Sequence, residues 1–188
     1  MIKNKATHIL TKIAVNIGRL LMAITFIFSG FVKGIDPLGT QYKITDYLEA
    51  LHIEWMFPSW STLLMSIVLA MCEFAIGIFL LLAIRRKLVS KIALLVMSVM
   101  TLITLWIVIA DPVKDCGCFG DAIVLTNMET FVKNLILLAI AILLWKKPQE
   151  MPQLVSKPTQ WIAINYTFLF SIVMSIWSLW YLPQFDFR

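Results

Sequence analysis

The sequence predicts an all-α membrane protein with five transmembrane helices. Of its 188 residues, 60% are hydrophobic and 14% are charged, whereas a soluble domain is nearer half apolar and a quarter charged. The mean hydropathy is +0.86. Five apolar runs approach or exceed the length of about 20 residues that a helix needs to cross a bilayer. We therefore expect a bundle of four spanning helices plus a fifth.

The predicted spans, in chain order, are residues 13–31, 61–84, 92–110, 127–145 and 161–182. The segment 33–54 carries a turn signal at 36–39 and then apolar residues at helical spacing, which predicts a short amphipathic helix on the membrane surface. Thr126 and Glu129 stand three residues apart before the fourth run, which is the capping-box signature of a helix start. Residues 1–145 are predicted to form a four-helix domain, and 146–188 a cytoplasmic linker and the fifth helix.

The distribution of Lys and Arg predicts the orientation in the membrane. The N-terminus, the segment 85–91 and the segment 146–157 hold ten of the sixteen, against five on the opposite side. Since cytoplasmic loops carry the excess of positive charge, the N-terminus is predicted inside and the C-terminus outside a bacterial inner membrane. The net charge of +5 lies between apolar runs, so it argues for orientation in the bilayer rather than for nucleic-acid binding.

The candidate catalytic residues are Cys116 and Cys118, in a polar loop at residues 115–120. Two thiols with one glycine between them can form a disulfide, exchange with a partner disulfide or bind a soft metal. Gly117 makes the required tight turn accessible. Three hypotheses follow: thiol–disulfide exchange on the outer side of the membrane, a structural disulfide in a non-catalytic assembly subunit, and a copper(I) site.

Charged and polar residues within or near the spans supply the supporting candidates. A charge inside a bilayer is costly and is usually paired or functional, so Arg19 and Glu73 are predicted to form an ion pair between helices. Lys33 and Lys133 are predicted at the same membrane boundary as the cysteine loop. Nearby cations lower the pKa of a thiol, whereas Asp115 and Asp121 act in the opposite direction, so the sequence leaves the sign of any shift open. Asn134 begins the outer half of the fourth span beside Lys133, and both are candidates to line a pocket under the loop.

Several motifs together resemble a known family of membrane proteins. Gly18-Arg19, the run Phe28-Ser29-Gly30-Phe31-Val32-Lys33, and the segment 36–40 with Lys43 and Tyr47 resemble the first-helix signature of DoxX-like proteins. Glu73 with Gly77 resembles that family's second helix. The loop at 115–120, with Asn134 after it, resembles the branch that joins DoxX to the methylamine-utilisation protein MauE. The resemblance covers roughly residues 13–145.

This resemblance implies a four-helix membrane bundle with a redox role in the maturation of exported proteins, as a component of a thiol–disulfide oxidoreductase. Association of DoxX relatives with a thiosulfate:quinone oxidoreductase implies a quinone as electron partner. The chain has one cysteine pair on the outer side, so the resemblance also implies a further partner, such as a thioredoxin-like protein. An extracytoplasmic domain of that type, continuing from the fifth helix, is a related expectation.

Overall fold

The computed structural model describes residues 2–111, 113, 117–123 and 125–180, with side chains from residue 8 onward except at positions 120 and 121. The elements in chain order are α1 (Ile2–Ile35), α2 (Pro37–Ala50), α3 (Ser59–Leu81), α4 (Arg86–Ala110), a short strand β1 (Cys118–Asp121), α5 (Asn127–Lys146) and α6 (Lys157–Trp180). Two short 3₁₀ helices lie at Glu54–Met56 and Pro148–Glu150. Cys116 and the segment 181–188 lie outside the described residues.

The prediction of five spanning helices is confirmed. Within the described residues, α1, α3, α4, α5 and α6 are each long and apolar enough to cross a membrane. The amphipathic segment after the first span is also a helix, α2. The first helix is longer than its apolar run at 13–31, because its polar first turns continue the same helix.

Four of the spanning helices close a ring. α1 packs mainly against α3 and also contacts α5, α5 pairs with α4, and α4 contacts α3. Their facing side chains form one apolar core, whose buried members are Val15, Met22, Ala23, Phe26, Ile76, Leu80, Ala83, Val89, Ala93, Met97, Leu137, Ala141, Leu144 and Met151. α6 packs outside this ring against α1 and α3. The arrangement matches the predicted four-helix bundle with an additional helix.

Glycines bring the backbones of α1 and α3 into contact. A Cβ added at Gly30 would overlap the backbone of Phe74, and one at Gly77 would come within 2.6 Å of the Ile27 amide nitrogen. Small residues permit such close crossings in membrane bundles, where packing rather than the hydrophobic effect drives helix association. This crossing sets the register of the two antiparallel helices, and with it the side chains that meet.

The turn after α1 is fixed by a helix cap. Asp36 lies at the N-cap of α2, where its Oδ1 accepts a hydrogen bond of 2.9 Å from the Gly39 amide. Ser66 of α3 donates to the Pro37 carbonyl at 2.6 Å. α2 therefore packs on α3 and also contacts the strand β1, which places it beside the cysteine loop.

Candidate functional site

A buried cluster of Ser29, Lys33 and Glu73 lies between α1 and α3. Ser29 and Lys33 are four residues apart and so share one face of α1. The Lys33 Nζ donates to both Glu73 carboxylate oxygens, at 2.8 and 2.7 Å, and to the Ser29 Oγ at 2.9 Å. All three residues are at least nine-tenths buried. A salt bridge this well hydrogen-bonded offsets the large cost of removing two charges from water.

The cluster is joined directly to the cysteine loop. The Ser29 Oγ lies 2.6 Å from the carbonyl oxygen of Cys118 and 2.6 Å from the Oε2 of Glu73. With an ionised carboxylate, Lys33 supplies three protons and Ser29 one, while the cluster makes five short donor–acceptor contacts. The Ser29 hydroxyl therefore divides one proton between the carboxylate and the loop.

The loop is also held by its aromatic residue. The ring of Phe119 packs edge-on against Phe28 of α1, with centroids 5.5 Å apart, and the Lys133 Nζ of α5 lies 4.0 Å from its centroid. A cation over an aromatic face is attracted by the ring quadrupole. Gly117 has a φ of +59° and faces the aliphatic part of the Lys43 side chain. Glycine adopts this left-handed conformation at little cost. The turn between the two cysteines stays a prediction, since Cys116 lies outside the described residues.

The two ends of the loop are tied together by side chains. The Asn127 amide donates to the Asp111 carboxylate at 3.0 Å and to the Val113 carbonyl at 2.9 Å. The predicted capping box is confirmed: the Thr126 hydroxyl accepts from the Glu129 amide, and the Glu129 carboxylate accepts from the Thr126 amide. In the described parts of the loop, side-chain hydrogen bonds therefore hold both ends, and the contacts of Cys118 and Phe119 hold the middle.

The predicted Arg19–Glu73 ion pair is wrong. The Arg19 Nη1 donates to the carbonyls of Leu80 and Leu81, at 3.1 and 2.6 Å, in the last turn of α3. The antiparallel crossing places Glu73 level with Ser29, which is about 15 Å further along α1 than Arg19 at 1.5 Å per residue. Glu73 therefore binds Lys33, and Arg19 satisfies the carbonyls at a helix end.

The other sequence candidates separate into those near the loop and those away from it. Lys133 contacts Phe119, as the prediction of a residue under the loop requires. Its neighbour Asn134 points to α4, where its amide donates to the Thr104 hydroxyl at 3.3 Å. Cys118 is half-buried in β1, whereas Cys116 lies outside the described residues. The third cysteine, Cys72, is exposed on the surface of α3 that faces away from the bundle.

Sequence reasoning missed Ser29 and Phe119 as members of this site. Ser29 stands one helical turn before Lys33, and that spacing was the available signal, since two polar residues four apart on an apolar helix share a face. Phe119 gave no such signal, because an aromatic residue beside a cysteine has many packing partners. Among the described residues, no three His, Cys, Asp or Glu side chains are grouped as metal ligands.

Comparison with known proteins identified a family. No curated protein and no solved structure matched the chain. The family model described as methylamine utilisation protein MauE matches residues 11–147. That range contains the ring of α1, α3, α4 and α5, the buried cluster and the cysteine loop, and it covers well over half of the sequence. The chain is therefore a membrane protein that belongs to the MauE family.

Proposed function

We propose that this chain carries out thiol–disulfide exchange with exported proteins through Cys116 and Cys118, on the outer side of a bacterial inner membrane. The observation that carries the proposal is the hydrogen bond between the Ser29 hydroxyl and the Cys118 carbonyl. It ties the backbone of one candidate cysteine to an ion pair buried between two spanning helices. Ionisable residues inside a membrane are rare and mark functional sites.

The buried cluster gives the loop a rigid support. The hydrogen bond to the carbonyl and the packing of Phe119 both restrict the peptide that carries the Cys118 side chain. Reactive groups held on rigid elements react faster, because less of their freedom is lost when a partner binds. The support acts through position, since the cluster contacts the Cys118 backbone.

The exchange balances without a further reactant. The thiolate of one loop cysteine attacks a disulfide of a client protein, forming a mixed disulfide and releasing one client thiolate. The second loop thiolate then attacks the mixed disulfide, which gives the loop disulfide and the second client thiolate. Two electrons pass from loop to client, and the two protons lost by the loop thiols end on the client thiols. Oxidation of a client dithiol is the same sequence reversed.

The described residues of the cluster do not fit a quinone. All three protons of the Lys33 ammonium are directed at Glu73 and Ser29, and the Ser29 proton is directed at Glu73 or Cys118. A quinone oxygen would have to displace the ion pair to find a donor here. One exchange changes the redox state of the loop, so repeated turnover needs a membrane or extracytoplasmic redox partner that restores it and binds away from the cluster, and a thioredoxin-like protein suits that role.

The test is the redox state of the Cys116–Cys118 pair in native membranes, measured by differential alkylation and mass spectrometry across a series of glutathione potentials. A Cys72→Ser background removes the third thiol, which lies on the outer face of α3. A pair that titrates reversibly near or above about −200 mV supports exchange. A pair that stays oxidised below about −300 mV is a structural disulfide, and the proposal fails.

The fixed loop ends favour one alternative, a non-catalytic assembly subunit whose disulfide shapes a docking surface. The single variant Cys118→Ser separates the two. Exchange predicts that the remaining Cys116 traps clients as mixed disulfides that disappear on reduction. An assembly subunit predicts no trapped clients and a loss of partner association instead.

A further inference from the structure

A cleft lies at the end of the bundle opposite the cysteine loop. It separates the turn between α3 and α4 from the first turns of α6, and its volume is about 260 Å³. Its lining residues are Arg85, Lys157, Gln160, Trp161 and Ile164. Two cations, one amide and two apolar side chains thus face one small space.

The cleft is lined by basic and not by acidic side chains. Among the residues that the structure describes, no acidic residue lines it. Within the described part of the chain, the side-chain ion pairs are Lys33–Glu73 and His8–Glu150, so neither Arg85 nor Lys157 belongs to one. Both side chains are exposed, so water and salt screen their mutual repulsion. An anion bound between them would be attracted by both.

The guanidinium of Arg85 is held in place. It lies 4.8 Å from the centroid of the Trp161 ring, at cation–π distance. Arg85 also has a left-handed backbone, with φ 41° and ψ 46°. Glycine or asparagine would occupy this conformation at lower cost. The chain therefore places an arginine where the backbone disfavours one, and its guanidinium is positioned over an aromatic wall of the cleft.

The surroundings identify the anion. α6 begins at Lys157, so the partial positive charge at its N-terminus adds to the two cations. Ile164, about two turns after Lys157 on α6, continues the cleft with an apolar wall. Arg85 and Lys157 belong to the predicted cytoplasmic side, where the membrane surface carries anionic phospholipids that attract basic residues.

We propose that this cleft binds one anionic phospholipid of the phosphatidylglycerol class. Its phosphate lies between the Arg85 guanidinium and the Lys157 ammonium, and its glycerol lies against Gln160. Its acyl chain begins along the Trp161 and Ile164 side of α6. Trp161 fits the level of the headgroups, where tryptophan is enriched in membrane proteins.

The test is native mass spectrometry of the full chain in neutral detergent, titrated with dioctanoyl phosphatidylglycerol or with dioctanoyl phosphatidylcholine. We expect one saturable phosphatidylglycerol site and at least tenfold weaker binding of phosphatidylcholine. In the double variant Arg85→Gln/Lys157→Gln, binding of phosphatidylglycerol should fall by about 30-fold, because two charges near the phosphate are lost. In the single variant Lys157→Gln, the affinity for phosphatidylglycerol should fall by about fivefold. This position is in the exposed first turn of α6, so the single variant keeps the test valid if the double variant misfolds.

The matched control is Lys87→Gln/Lys146→Gln, which removes two exposed charges at the same end of the bundle without touching the cleft. Its affinity for phosphatidylglycerol should change by less than twofold. Equal losses in the two double variants would mean general attraction of a basic surface, and would overturn the proposal. Competition by inorganic phosphate at the same concentration as the lipid would also overturn it, since the occupant would then be a free anion.

Discussion

The coupling between Lys33 and Glu73 can be measured by a double-mutant cycle of Lys33→Met, Glu73→Gln and the two together. The Nζ and Oε2 atoms lie 2.7 Å apart, with side-chain exposures of 5% and 7%. Removing one partner leaves the other charge buried without its counter-ion, which costs about 3–5 kcal/mol. Each single variant should therefore lose roughly that much of its free energy of unfolding.

The double variant should lose less free energy of unfolding than the two single variants lose together, because it leaves no isolated charge. We expect a coupling energy of about 2–3 kcal/mol. Equilibrium unfolding in mixed micelles, followed by far-UV circular dichroism against the fraction of dodecyl sulfate, gives all four free energies. Lys91→Met removes an exposed lysine from α4 and is the matched control. Single variants that each cost less than about 1 kcal/mol, with additive effects, would refute a desolvated pair.

Three further predictions concern the loop and its support. Ser29→Ala removes the donor to the Cys118 carbonyl and should lower the free energy of unfolding by about 1–3 kcal/mol. It should also speed alkylation of the reduced loop. An unchanged alkylation rate would mean that this hydrogen bond does not hold the loop. Gly30→Ala forces the backbones of α1 and α3 apart and should lower the free energy of unfolding by about 1–3 kcal/mol. Gly18→Ala should lower it less, because the added Cβ meets the side chain of Ile140 and no backbone of another helix. Thr126→Ala removes the N-cap of α5 and should lower the free energy of unfolding by about 1 kcal/mol. An unchanged free energy of unfolding would mean that this cap does not stabilise α5.

The spanning helices could be predicted because the signal for each lies within its own segment. Apolar length determines a span, and the pair Thr126 and Glu129 marks the start of α5 from two residues alone. The positive φ of Gly117 likewise agrees with its residue type, since glycine tolerates that conformation. In each case the physical cause is local along the chain.

The partners across helices could not be predicted in the same way. Arg19 and Glu73 both lie deep in their helices, so counting residues from one membrane boundary made them neighbours. The actual register depends on the close backbone contacts at Gly30 and Gly77, which no periodicity within one helix reveals. Once that crossing is known, Glu73 lies level with Ser29, and Lys33 becomes its partner. Long-range register, rather than residue type, limited the prediction of the site.

The contacts of Arg19 take the place of water at one end of α3. The last carbonyls of a helix normally rely on water or a capping group, but those of Leu80 and Leu81 are satisfied by a side chain from α1. The segment from the 3₁₀ helix Pro148–Glu150 to Met151 covers the same end, where Ile84 and Met151 are each 1% exposed. Arg19 and this segment therefore fasten the last turn of α3 to α1 at the end of the bundle opposite the cysteine loop. That helix end depends on a side chain of the neighbouring helix, so a change at position 19 should loosen it without touching the Lys33–Glu73 pair.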